Sequence, residues 1–243
     1  MRVVPLRAKR ETMKTIKNES LIQRNRKLGS WTSLAALVVL GLGMYISIAR
    51  SELYIYSLIA LILGFTLTQV GMYLGNRYGR SPRPDEKLDA SLKGLPNEFV
   101  IYHYLTPASH LLLGPAGIWV IKPYHQRGQV SFRKNRWRMS GGGFMQGYMR
   151  LFGQESLGRP DAEIEGEIHS VHKHLAKQMD ESEIPEIKAL MVFTSEDIEI
   201  DAEEAPIPVM KVKQLKDFLR KRAKEKPVAA ERLNRINALL SPE

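Results

Sequence analysis

Residues 31–49 and 53–75 contain no charged side chain. At about 1.5 Å rise per residue, each run is long enough to cross a hydrocarbon layer of about 30 Å. A buried helix pair in a soluble core would rarely lack charge throughout both helices. A cleaved leader is also a poor match, because a leader has a short basic start and a short apolar stretch. Here a long polar and basic segment comes first, and a second run follows after only Arg50, Ser51 and Glu52. The pattern predicts a transmembrane hairpin near the N-terminus.

Charge orients that hairpin. The chain carries a formal net charge of +10, which by itself suggests a nucleic-acid partner. Its distribution does not. Residues 1–80 hold twelve Lys/Arg against three Asp/Glu, whereas residues 81–243 hold twenty-four against twenty-three. The excess flanks the apolar runs: Arg24, Arg26 and Lys27 precede the first, and Arg77, Arg80 and Arg83 follow the second. Basic flanks stay on the cytoplasmic side, so both termini are expected in the cytoplasm of a cell-membrane protein with two spans. Trp31, Tyr54, Tyr56 and Tyr73 lie near the span ends, where amphipathic aromatics prefer the interface. Gly71 and Gly75 form a small-xxx-small pair, which either suits close helix contact or reflects only how common glycine is in membrane helices. The absence of cysteine excludes disulfides and thiolate metal sites.

The expected organisation is a basic cytoplasmic arm over residues 1–30, the two-span hairpin over 31–75, a linker over 76–91 and a globular domain over 92–243. Pro82 and Pro84 are expected to keep the second helix from continuing far into the linker. Within the domain, 96–105 reads as a short helix and 109–113 as a strand. A glycine turn at Gly114, Pro115 and Gly117 leads into a second strand over 118–124. Residues 128–139 read as a third, alternating strand, and the glycine-rich 140–160 as a loop. A helix follows over 161–179, then strands over 187–194 and 207–210 and helices over 213–223 and 228–240. The expected fold class is therefore a membrane protein with a two-helix hairpin and an α/β domain built on a central mixed sheet.

The segment HLLLGPAGIWVIKPYHQRGQV resembles the core of the nuclease-related domain (NERD) family. The likeness rests on Gly114, Pro115, Gly117 and Gly128, on Asn97-Glu98 upstream and on Pro160. It spans roughly residues 92–200. The family implies a restriction-endonuclease-like fold of the PD-(D/E)xK class and metal-assisted phosphodiester hydrolysis, in which an aspartate and a glutamate hold a hard divalent cation and a nearby lysine steadies the reaction. Laid on this chain, the family's aspartate falls on Ser109, its glutamate on Lys122 and its lysine on Tyr124, while Glu98 keeps the upstream carboxylate. A positive Lys122 opposes a cation: two like charges at about 4 Å repel by roughly 4 kcal/mol at an effective dielectric of 20. The resemblance thus implies a degenerate site, no cofactor, and a binding or scaffolding role. The alternative is a tethered nuclease using Mg²⁺ held by relocated carboxylates such as Glu163 and Glu165.

Two further groups invite attention. His169, His172 and His174 lie on one predicted helix, but no carboxylate or thiolate completes a metal set, and they read as a solvated face. Between Glu98 and Glu155 there is no acid, while Lys122, Arg127, Arg133, Lys134, Arg136, Arg138 and Arg150 alternate with Phe132, Trp137, Phe144 and Tyr148. Of these, Arg133, Lys134, Arg136 and Arg138 are the candidate anion-binding residues, with Lys134, Arg136 and Arg138 expected on one strand face. Their partner would be nucleic acid or anionic lipid headgroups beside the bilayer, with protein partners left unidentified.

Overall fold

The computed structural model of the chain describes residues 12–141 and 157–241. It divides into two units: Asn18–Glu86, and Met1–Lys17 together with Lys87–Glu243.

The first unit is a helical hairpin. Helix α1 (Glu19–Ala49) starts where the Asn18 side chain accepts a hydrogen bond from the Leu21 N–H at 3.0 Å, which satisfies one of the free donors at the helix start. A single 3₁₀ turn, Ser51–Leu53, reverses the chain into helix α2 (Tyr54–Leu74). Both helices are long and apolar enough to cross a membrane. Their seam is lined by residues seven apart, all but one of them small. Ile22, Gly29, Ala36 and Gly43 are buried on α1, and Gly64 and Gly71 on α2. A seven-residue repeat keeps one face toward the partner helix, and small side chains let the backbones approach. A Cβ at Gly43 would come within 2.8 Å of the Ala60 Cβ, and one at Gly71 would collide with Ser33. A Cβ at Gly75, the expected partner of Gly71, would meet nothing within 4 Å, although the Gly75 backbone itself lies against Gly29 of α1. The positions on α2 where a side chain would collide are Gly64 and Gly71. The outward residues, among them Leu37, Ile48, Leu58 and Ile62, are exposed and apolar.

The expected linker is largely helical. After a π-type turn at Gly75–Gly79 the helix stops over 80–83, as the prolines lead one to expect, and a new helix α3 (Pro84–Leu92) begins on Pro84. Proline suits the first helical turn, where its missing N–H costs nothing. The Glu86 carboxylate closes that turn by accepting from the Arg83 N–H and the Ser81 hydroxyl, each at 2.8 Å.

The second unit is an α/β domain on a six-stranded mixed sheet. Its strands are β1 (Lys14–Lys17), β2 (Val100–His103), β3 (His110–Gly114), β4 (Gly117–Tyr124), β7 (Ile187–Phe193) and β9 (Val209–Lys211), in that spatial order. Strands β2, β3 and β4 form an antiparallel meander, and β1, β7 and β9 add in parallel. A separate three-stranded sheet has the order β6 (Arg136–Ser140), β5 (Gly128–Arg133), β8 (Ile198–Asp201). Helices α4 (Pro160–Leu175) and α6 (Ala230–Leu240) cover one face of the large sheet through Ile164, Val171, Leu175, Leu233 and Ile236. Helices α3 and α5 (Leu215–Glu225) cover the other through Leu88, Leu92, Leu215 and Leu219.

Three expectations are corrected. Residues 96–105 hold a strand and not a helix: Val100, Ile101, Tyr102 and His103 are all buried, and such β-branched and aromatic residues fit a sheet with neighbours on both sides. Part of the basic arm, residues 14–17, is the sheet's edge strand β1. The single strand expected over 128–139 is the hairpin β5–β6, because Lys134 and Asn135 both adopt positive φ (53° and 57°), the conformation of a two-residue I′ turn.

Candidate functional site

Strand β4 places Lys122 and Tyr124 on the sheet face that α4 covers, since alternate strand residues share a face and Ile118 and Val120 pack there against Ile164 and Val171. Helix α4 begins with proline and carries its acids early. Glu163 and Glu167, four residues apart, fall on one side of it. They meet the strand. The Lys122 ammonium lies 2.8 Å from Glu167 Oε1 and 3.3 Å from Glu163 Oε2. From β3's leading edge, the Ser109 N–H and hydroxyl donate to the two Glu167 oxygens at 3.3 Å each. Lys122 and Glu167 side chains are only 17% and 15% exposed, so this ion pair is shielded on most sides from water.

Tyr124 completes the cluster from below. Its hydroxyl is buried with no hydrogen-bond partner among the described residues. Burial pushes its pKa up, and the negative charges of Glu163, Glu167 and Asp161 push it further. The hydroxyl therefore stays protonated at any physiological pH and is no base.

The structure thus brings together Ser109, Lys122 and Tyr124 of the positions implied by the family likeness. Glu98 stands apart, exposed in the turn that precedes β2, with no ion pair or hydrogen bond to that cluster. Of the suggested replacements, Glu163 joins the cluster. Glu165 instead lines an open cleft of about 610 Å³ with Asn135, Arg136, Trp137 and Arg159. The residue missed by sequence reasoning is Glu167. Its one sequence signal is its position a helical turn beyond Glu163, which puts the two on one side of the helix but does not say that this side meets the sheet.

No family model, no curated protein and no solved structure matches this chain.

Among the described residues no group of three or more His, Cys, Asp or Glu side chains could hold a metal ion. His169 is exposed and His172 and His174 are partly so, along α4. The divalent cation that the family likeness implies does not fit the cluster: its two carboxylates already share one ammonium, and the third neighbour is a neutral serine. What the cluster offers chemically is a fixed internal cation between two helix carboxylates.

The basic hairpin is rearranged relative to expectation. Lys134 sits in the turn, so it does not continue the row of Arg136 and Arg138. Arg133 is engaged by Asp201 at 2.6 Å. Trp137 packs on Phe132 and donates its indole N–H to the Asp161 carboxylate at 2.8 Å. Lys134, Arg136 and Arg138 are exposed and have no ion pair among the described residues. Phe144, Tyr148 and Arg150 lie outside those residues.

Proposed function

We propose that this chain is a membrane-anchored module of the cell membrane. Its domain has a restriction-endonuclease-like fold related to the nuclease-related domains, does not cleave nucleic acid, and binds or scaffolds a partner at the cytoplasmic face. The order of elements supports the fold reading: a three-strand antiparallel meander, then helix α4, then a strand joining β4 in parallel. The observation that carries the inactive reading is the Lys122 ammonium held between Glu163 and Glu167. A nuclease of this kind needs a hard cation bound by anionic oxygens, and here the protein's own cation takes those oxygens.

The anchoring reading rests on the two apolar helices and their basic flanks. It places both termini in the cytoplasm. Arg136 and Arg138 are the residues through which an anionic partner, nucleic acid or lipid headgroup, would be held.

One observation favours a second reading. Two helix carboxylates do reach the strand positions where catalysis would occur, as a tethered nuclease with relocated ligands requires. The test is incubation of the full chain with single- and double-stranded DNA and RNA in Mg²⁺ or Mn²⁺. No metal-dependent cleavage is expected. Cleavage that disappears in Glu163→Gln and Glu167→Gln would establish the second reading instead.

A further inference from the structure

The opposite face of the same sheet holds a buried polar chain that the candidate site does not use. His103 on β2 and His110 on β3 are 0% and 2% exposed and stand opposite each other in the ladder. Their Nδ1 atoms are 2.7 Å apart. His103 Nε2 is 3.0 Å from Asp89 Oδ1 of α3. The Asp89 carboxylate also takes Lys17 Nζ at 2.6 Å and the Thr15 hydroxyl at 3.3 Å, both from β1. The Tyr104 ring closes the group by standing edge-on to His110 at 4.9 Å. Thr15 and Lys17 of β1, Asp89 of α3, His103 of β2, His110 of β3 and the adjoining Tyr104 thus meet in one group.

The hydrogen bonds fix where protons sit. Burial pushes the Asp89 pKa up, but the bonds from His103 and Lys17 outweigh it and hold the carboxyl below its ordinary range. An ionised carboxylate only accepts, so His103 Nε2 carries a proton. A neutral His103 then has a bare Nδ1, and the group facing it, His110 Nδ1, must be the donor. One added proton can be absorbed: His103 becomes the donor at Nδ1, and His110 carries its hydrogen on Nε2. A second added proton cannot. Both Nδ1 atoms would then be donors facing each other, in a buried site holding two imidazolium charges.

The turn beside this pair leads to the candidate site. Tyr104, in a left-handed conformation (φ 59°), donates its N–H to the Ser109 carbonyl at 2.9 Å. Ser109 in turn holds Glu167.

We propose that the His103–His110 pair is a proton-operated latch on the Tyr104–Ser109 turn, closed while the pair carries at most one extra proton and opened when both imidazoles are charged. Opening frees the β2–β3 turn and with it the Ser109 contacts to Glu167. The latch rests on the imidazole geometry alone and holds whatever the Lys122 cluster binds.

Hydrogen exchange of the full chain in detergent tests it, once corrected for intrinsic rates. Protection of residues 104–111 is expected to fall about tenfold or more between about pH 7.5 and about pH 5. In His110→Gln the amide can still donate to His103 Nδ1 but cannot be charged, and this fall is expected to vanish. Equal wild-type protection at both pH values overturns the latch, as does an undiminished fall in His110→Gln. A direct readout needs no variant: ¹⁵N shifts of the wild-type histidines at neutral pH should show His103 protonated on Nε2, and its Nδ1 and that of His110 never both protonated. A bare His103 Nε2, or hydrogens on both Nδ1 atoms of the folded protein, overturns the proposal.

Discussion

Lys122 on strand β4 and Glu167 on helix α4, forty-five residues apart in sequence, form a 2.8 Å ion pair at the centre of the candidate site. Breaking it from one side leaves a mostly shielded charge without its partner, which is costlier than removing an exposed pair. Lys122→Met should therefore lower the stability of the domain by roughly 2–3 kcal/mol. The double variant Lys122→Met/Glu167→Leu should recover most of that loss. Thermal melts of wild type, Lys122→Met, Glu167→Leu and the double variant in one detergent measure it, and strictly additive losses would contradict the pairing.

Asp89 sets a different acid dependence. Its pKa is lower in the folded state than in the unfolded chain. Such a group adds stability that is present above its unfolded pKa, about 3.9, and is lost as pH falls through the folded value. Asp89→Asn should lower stability near neutrality and flatten the stability curve below about pH 4. Urea unfolding at several pH values reads this, and parallel curves for wild type and variant would count against it.

The helix hairpin has its own check. The chain contains no cysteine, so an introduced pair reports alone. A Cβ at Gly43 falls 2.8 Å from that of Ala60, about 1 Å inside the Cβ separation of about 3.8 Å in a disulfide, so a small widening of the seam brings the two positions to bonding distance. Gly43→Cys/Ala60→Cys should crosslink within one chain on mild oxidation in membranes. Gly41→Cys/Ala60→Cys should not, since Gly41 faces open space.

Arg136 and Arg138 carry the anion-binding prediction. Each phosphate or headgroup contact releases counterions and steepens the salt dependence of binding. Replacing both arginines with serine should weaken binding to single-stranded RNA or to anionic liposomes, and flatten the salt slope by up to about 2. Whichever ligand shows that change is the partner class. Equal, negligible wild-type binding to both would remove the hairpin from the account.

Much of this architecture was legible in the sequence because the signals were local. Uncharged runs mark the hairpin helices, and the β-branched run before Pro123 marks β4. Two elements were misread where local and tertiary signals compete. Pro96 suggested a helix start, yet Val100–His103 is buried between β1 and β3 and pairs with both. Pro82 and Pro84 do interrupt the helix at 80–83, yet a first-turn proline then opens α3 inside the expected linker. The site was half legible. Ser109, Lys122 and Tyr124 could be placed on strands by pattern, but their carboxylate partners come from a helix beyond the 140–160 segment. Spacing in sequence does not reveal which face of α4 meets the sheet. The Lys17–Asp89–His103–His110 chain was invisible for the same reason, since it joins four elements.

The central claim is that Lys122 serves as the cation of its own site. Mn²⁺ binding by the full chain in detergent, followed by electron paramagnetic resonance, tests it most directly. Wild type should show no saturable binding below about millimolar Mn²⁺, because the Lys122 ammonium already stands between the Glu163 and Glu167 carboxylates and offsets one of their two charges. Saturable micromolar binding by wild type that is lost in Glu167→Gln would contradict the account.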